Sequence, residues 1–206
     1  FLLCFTSGST GKPKPLAIDQ KTKILRAKSN IELYNLKKIK KSIISTPLHH
    51  TLALRILTIS ILKGAEIHIM RNYYFEKFIR YIGKNKINFT LFISDQINNL
   101  IKKKSYIKYL SSMNSIISSS ATLTNENKKK LCKMYKGKIY ECYGLSEAAI
   151  VTSLDLKKYP TKLNSVGSPI KDVKIKIRKK NKNGVGEILV KSKFIFSEYF
   201  NKKFFT

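Results

Sequence analysis

The 206 residues carry 41 basic side chains against 12 acidic ones, a formal charge of +29, with 43 % hydrophobic and 11 % aromatic residues. That apolar content excludes a disordered chain and allows a sizeable core. The charge raises nucleic acid or anionic membrane as a partner, but only five of the 41 basic residues are arginine and the lysines are scattered along the whole chain. Lys, Ile and Asn are the residues of A/T-rich codons, so a biased genome accounts for the balance and no specific nucleic-acid contact is expected. Runs such as Lys102–Lys104 and Lys128–Lys130 read as solvated helix faces.

In chain order, "FLLCF" reads as a strand, followed by the loop "TSGSTGKPK" and a short strand near Leu16–Ile18. Asp19 is placed to N-cap a helix from about Gln20 to Leu36. "SIIST" (42–46) is a predicted strand, 51–62 a helix, "AEIHIM" (65–70) a strand and 75–83 a helix. "INFTLFI" (87–93) reads as a buried strand, 95–103 as a helix, "NSIIS" (114–118) as a strand, 125–136 as a helix and "KIYECY" (138–143) as a strand. Strands alternating with helices predict an α/β fold: a mainly parallel sheet with helices on both faces, in three layers. After Pro160 the pattern changes to period two around Asn183-Gly184, a hairpin signal. The expected division is an α/β core over 1–160 and a smaller β-rich subdomain over 161–206.

The longest apolar run, 51–62, is shorter than a membrane span and contains Arg55, so no transmembrane segment is expected. Cys4, Cys132 and Cys142 are odd in number and lack metal-ligand spacing, which suits a reducing, cytoplasmic setting. The chain opens on Phe1 inside a strand pattern and stops in "EYFNKKFFT", so it reads as a fragment of a longer protein.

The loop after the first strand is built for an anion. Gly8 and Gly11 permit positive φ, which would let successive backbone N–H groups form a nest there. Thr6, Ser7, Ser9 and Thr10 add hydroxyls, with Lys12 as counter-charge. It is not a P-loop, which needs four residues between its glycines and Ser/Thr after the lysine; here two residues separate Gly8 from Gly11 and Pro13 follows Lys12. A flexible surface turn is the plain alternative for such a cluster. A second segment, "YECYGLSEA" (140–148), ends another predicted strand, which puts both loops at one edge of a parallel sheet, where open α/β sheets bind ligands. There Glu147 is suited to a hard divalent cation, Ser146 to a phosphate oxygen and Tyr143 to the face of a base. A serine-hydrolase elbow at "GLSEA" is disfavoured, because His49, His50 and His68 all precede Ser146.

Taken together, "FTSGSTGKPK" and "YECYGLSEA" resemble the AMP-forming acyl-adenylate ligases, a superfamily of acyl-CoA synthetases, aryl-acid ligases, luciferases and peptide-synthetase adenylation domains. The resemblance covers essentially the whole chain. "STPLHHTLAL" looks like the family segment that carries a histidine, here His50, and "SSSATL" (118–123) like its adenine-side loop. Ser119 and Ser120 stand where the family has glycines, Thr122 where it has proline, Ala53 where it has glycine, and Ser146 where it more often has threonine.

This resemblance implies a reaction. ATP and Mg²⁺ would activate a carboxylic acid as acyl-AMP with loss of pyrophosphate. The acyl group would then pass to a thiol of CoA or of a carrier protein's pantetheine. It assigns the ATP tail to Thr6, Ser7, Gly8, Ser9, Thr10, Gly11, Lys12 and Lys14. The adenylate falls to Ser119, Ser120, Ala121, Tyr143, Gly144 and Ser146, and the metal to Glu147. The catalytic set is Thr6, Lys12, Glu147 and His50, the last beside the reacting carboxylate; capping of backbone groups is the structural alternative for His50. No Asp lies between Pro47 and Ala65 to pair with an α-amine, so a fatty or aryl acid is expected. The lysine-rich surface would suit an acidic acyl carrier protein. The family's catalytic-lysine domain is expected beyond the chain's end, which would leave residues 1–206 alone nearly inactive. The contrasting expectation is a basic module of the same fold that binds nucleic acid or anionic membrane without catalysis.

Overall fold

The computed structural model describes residues 2–5 and 14–200. Strand β1 (Leu2–Phe5) pairs antiparallel with β2 (Pro15–Ile18), Leu2 opposite Ile18 and Phe5 opposite Pro15. Helix α1 (Gln20–Leu33) follows at once. Its N-cap is Asp19, whose carboxylate accepts from the Thr22 N–H at 2.7 Å and satisfies a donor that the first helical turn leaves free.

Strand β3 (Lys41–Ile44), helix α2 (Thr51–Leu62) and β4 (Glu66–Ile69) form a β–α–β unit with β3 and β4 parallel. Helix α3 (Phe75–Lys84) leads to β5 (Phe92–Ile93), which runs directly into α4 (Ser94–Lys102). A 3₁₀ segment (Lys104–Leu110) precedes β6 (Ser115–Ser119), then come α5 (Asn125–Met134) and β7 (Lys138–Leu145). β5, β6 and β7 are parallel neighbours. The chain then reverses: β8 (Ala149–Asp155) pairs antiparallel with β7, and β9 (Ser168–Pro169) with β8, completing a five-stranded mixed sheet. β10 (Val173–Arg178) and β11 (Glu187–Ser192) make the predicted hairpin, with Gly184 at φ +76° in the connection. β12 (Glu198–Tyr199) returns to pair with β2.

The strand period of two sorts the core into two sides of the sheet. Ile117 and Tyr140 pack with Ala27, Ala53, Ile56 and Ile59 of α1 and α2. Their chain neighbours Ile116 and Ile139 pack with Phe78, Ile97, Leu100 and Leu131 of α3, α4 and α5. Alternate side chains point to opposite faces, so each strand serves both helical layers. Each fully buried Ile, Leu or Phe contributes roughly 1.5–3 kcal/mol over its exposed state.

Two expectations need correction. "INFTLFI" is buried at Ile87, Phe89, Leu91 and Phe92, but only Phe92–Ile93 joins the sheet ladder. The rest is pinned to β3 instead: the N–H groups of Asn88 and Phe89 both donate to the Lys41 carbonyl, and Ile43 N–H donates to Phe89 O. The strands that precede the two segments also do not belong to one parallel sheet, and residues 6–13 themselves lie outside the described residues. β1 belongs to a separate antiparallel sheet with β2 and β12, and β7 continues past Tyr143 into a hairpin with β8.

Candidate active site

The parallel strands β5, β6 and β7 set the 119–123 loop and Tyr143. Ser118 lies opposite Glu141 and Ile93 opposite Ser119, so the loop 119–123 leaves β6 beside Cys142 and Tyr143. Ser119 is half-buried, Ser120 and Ala121 are exposed, and Tyr143 is half-buried. Ser120 adopts φ +90°, a left-handed conformation that costs a side-chain-bearing residue about 1–2 kcal/mol. The Ala121 carbonyl accepts from the Ser94 hydroxyl at the start of α4.

Under this loop is a fully buried ion pair. Lys128 Nζ and Glu141 Oε2 are 2.5 Å apart, with the two side chains 1 % and 2 % exposed. Glu141 Oε1 accepts from Leu123 N–H at 2.9 Å, and Lys128 donates to the Leu163 carbonyl at 2.7 Å. The pair therefore joins the end of the 119–123 loop to β7, α5 and the segment that precedes β9. Sequence reasoning missed both residues: Lys128 sits in a lysine run that reads as solvated, and Glu141 sits inside the very motif whose later residues drew the attention.

The β7–β8 turn holds Ser146 and Glu147. Gly144 is required there, because a Cβ at that position would lie 2.2 Å from the Ala149 carbonyl oxygen. The pairing register shifts between Tyr143 and Gly144, a bulge that turns the strand end outward. The turn is clamped from behind by Arg26 of α1. Its Nε donates to Phe194 O at 2.8 Å, Nη1 to Ser146 O at 3.1 Å and Nη2 to Glu147 O at 2.8 Å. Phe196 N–H donates to the same Glu147 carbonyl at 2.7 Å. With its backbone held on both sides, Glu147 presents its carboxylate towards Tyr199, whose hydroxyl donates to Oε1 at 3.2 Å. Burial, and then the Glu147 charge, push the Tyr199 hydroxyl's pKa up. Arg26 also escaped sequence reading, since one arginine in a polar helix gives no signal of burial.

Lys14 joins this group from the other side. Its ammonium is 5.7 Å from the centre of the Tyr199 ring, within cation–π range. Because β12 pairs with β2, Tyr199 stands between Lys14 and the Glu147 carboxylate. Thr6, Ser7, Gly8, Ser9, Thr10, Gly11 and Lys12 lie outside the described residues. His50 is exposed at the N-cap of α2, makes no capping hydrogen bond with its side chain, and lies against His49 with ring centres 4.2 Å apart and planes tilted by 46°. His68 is engaged elsewhere, with Nδ1 2.9 Å from the Tyr81 hydroxyl and Nε2 2.8 Å from Glu66. Among the described residues no group of three or more His, Cys, Asp and Glu could cage a metal. A lone carboxylate such as Glu147 fits Mg²⁺ all the same, since that ion is commonly held by one or two carboxylates plus substrate phosphates.

Residues 1–200 match the family described as AMP-binding enzyme. The chain belongs to that family. Among curated proteins it is similar to VraA of Staphylococcus epidermidis, at 27 % identity over 198 residues, covering 95 % of this chain and 42 % of that protein. It is similar also to the 2-succinylbenzoate–CoA ligase of Oceanobacillus iheyensis, at 24 % over 208 residues (98 % and 42 %). The long-chain-fatty-acid–CoA ligase of Bacillus subtilis is 27 % identical over 216 residues (98 % and 38 %). The chain thus spans about four-tenths of the length of the curated relatives it matches.

Solved structures of the same fold include the O-succinylbenzoate coenzyme A synthetase of Bacillus subtilis, in complex with ATP and magnesium ion. That match has a TM-score of 0.83 and 20 % identity, over 98 % of this chain and 43 % of that one. The amide bond synthetase McbA of Marinactinospora thermotolerans matches with a TM-score of 0.83 and 18 % identity, over 98 % and 41 %. These likenesses establish the α/β fold of the family's N-terminal domain.

Proposed function

We propose that the complete protein carrying this chain activates a carboxylic acid with Mg-ATP and passes the acyl group to the thiol of coenzyme A. A carboxylate oxygen attacks the α-phosphorus of ATP, the bond to pyrophosphate breaks, and acyl-AMP forms. The thiol sulfur then attacks the acyl carbon, the bond to AMP breaks, and the thiol proton leaves to solvent. Such chemistry asks the protein mainly for positioning and charge neutralisation.

The observation that carries this reading is the line from Lys14 through Tyr199 to Glu147. It brings a cation next to the glycine-rich segment and a carboxylate with a fixed backbone to the two sides of one tyrosine, which supports a site for a metal-bound polyphosphate. In this reading Thr6, Ser7, Gly8, Ser9, Thr10, Gly11, Lys12 and Lys14 cradle the β- and γ-phosphates. Ser146 touches a phosphate oxygen and Glu147 holds Mg²⁺, which supplies charge neutralisation at the phosphates. Ser119, Ser120, Ala121, Tyr143 and Gly144 flank the adenylate. His50, exposed and free of capping duty, faces the reacting carboxylate. A fatty or aryl acid suits the lack of an Asp near His50. The three free cysteines suit a reducing cytoplasm.

The test is trapping of the activated acid as a hydroxamate, with wild-type protein and Glu147→Ala compared at saturating ATP. The expected result is hydroxamate that depends on Mg²⁺ and on Glu147, with circular dichroism unchanged in the variant. Equal yields from the two proteins would remove Glu147 from the metal site. An acidic carrier protein is a further acceptor that the lysine-rich surface suits. Thioester formation on such a carrier should then slow as salt screens the charges, and a salt-insensitive rate would argue against recognition of the carrier through the lysine-rich surface.

A further inference from the structure

Helix α1 turns a polar face inward: Thr22, Lys23, Arg26 and Asn30 are all buried. Helix α2 brings Arg55 towards the same place. Between the two helices and the β7–β8 turn is a cavity of about 30 Å³, bordered by Lys23, Arg26, Asn30, Thr51, Arg55 and Ser146. Three cations thus border a space that holds little more than a water or two. Among the described residues none of the three forms an ion pair. Arg26 spends its donors on neutral carbonyls, and Nη1 of Arg55 is buried with no hydrogen-bond partner among the described residues.

Lys23 and Arg26 are buried and Arg55 is half-buried with its Nη1 atom enclosed, and like charges so placed are costly without a counter-charge. Their mutual effect is visible in the acid–base balance. Burial pulls the Lys23 ammonium down to about 8; the Cys4 thiol opposes this, while Arg55 and Arg26 add to it.

We propose that this cavity is a binding site for one small monovalent anion of halide size, held by Arg55 and Lys23 behind Arg26. The size excludes a phosphate ester or a nucleotide, and the site needs no assumption about the reaction. An anion there neutralises the charge behind the guanidinium that grips the Ser146 and Glu147 carbonyls, so occupancy steadies the β7–β8 turn. The competing occupant is water, bridging Arg55 Nη1 and the Asn30 Oδ1 atom, which also lacks a partner.

The experiment is thermal unfolding of the complete protein at pH 7 and fixed ionic strength, with gluconate, too large for the cavity, replaced stepwise by bromide. The proposal expects a Tm that rises and saturates with bromide, against the general tendency of the two salts. Arg55→Met, neutral and of similar length, should lose that dependence. Should Arg55→Met fail to fold, Lys23→Met is titrated in its place and should shift the bromide midpoint up by about tenfold or more. A Tm indifferent to the exchange, or a bromide response kept in full by the variant, would overturn the proposal and leave water in the cavity.

Discussion

Ser120 carries a side chain at φ +90°, where glycine is at ease and serine is strained. Ser120→Gly should therefore stabilise the protein by about 1 kcal/mol, less the extra entropy of the unfolded glycine; urea denaturation reads this, and a loss of stability would mean that the serine side chain makes compensating contacts. Arg26 is a different case, since its three bonds reach two separate chain segments. A single ammonium cannot span them, so Arg26→Lys should cost about 1–3 kcal/mol and loosen the Ser146–Glu147 turn. Unchanged stability in the same denaturation would show that the clamp is dispensable. At this scale the sequence showed the residue types that chemistry needs, such as Glu147, Ser146 and Tyr143. It hid the residues that hold them, because Arg26, Lys128 and Glu141 are charged groups whose burial depends on contacts far along the chain.

Helix α1 illustrates an element whose start was legible and whose role was not. Asp19 marked the N-cap, and the structure gives its carboxylate three donors: Thr22 N–H, the Thr22 hydroxyl and the Ser197 hydroxyl at 2.8 Å. These bonds, led by the Thr22 N–H, hold the Asp19 pKa at about 2 against an ordinary 3.8. A folded-state pKa below the unfolded one stabilises the fold above about pH 4, and that contribution is lost as pH falls towards 2. Stability measured over that window should fall more steeply in wild type than in Asp19→Asn, and parallel curves would contradict it.

The polar inward face of α1 was illegible, since buried Thr, Lys, Arg and Asn follow the same helical period as a solvated face. The Lys128–Glu141 pair couples elements in another way. Glu141→Gln leaves a buried ammonium unpaired and should cost about 3–5 kcal/mol, whereas replacing both partners by Met and Leu should cost much less. Equal losses from the single and double variants would remove the ion pair from that explanation. The β10–β11 hairpin was read correctly from period two and Asn183-Gly184. β8 was not, because it follows the motif without a break, and its antiparallel return is set by pairing with β7 rather than by local pattern.

At the level of the whole molecule, the alternation of strands and helices gave the α/β fold, and the two loops gave the family. Lys14 and Glu147 do not meet across a shared sheet edge. They are linked by β12, which returns to β2 and carries Tyr199 between them. Sequence distance hides such a contact, since short β12 has no marked pattern of its own. The central claim, activation of an acid at this junction, is tested most directly by carboxylate-dependent exchange of labelled pyrophosphate into ATP. The complete protein would be given fatty, aryl and amino acids in turn. The account predicts exchange with a fatty or aryl acid, strictly dependent on Mg²⁺. Exchange with amino acids alone would contradict the acid class, and no exchange with any acid by a folded, ATP-binding protein would contradict acid activation itself.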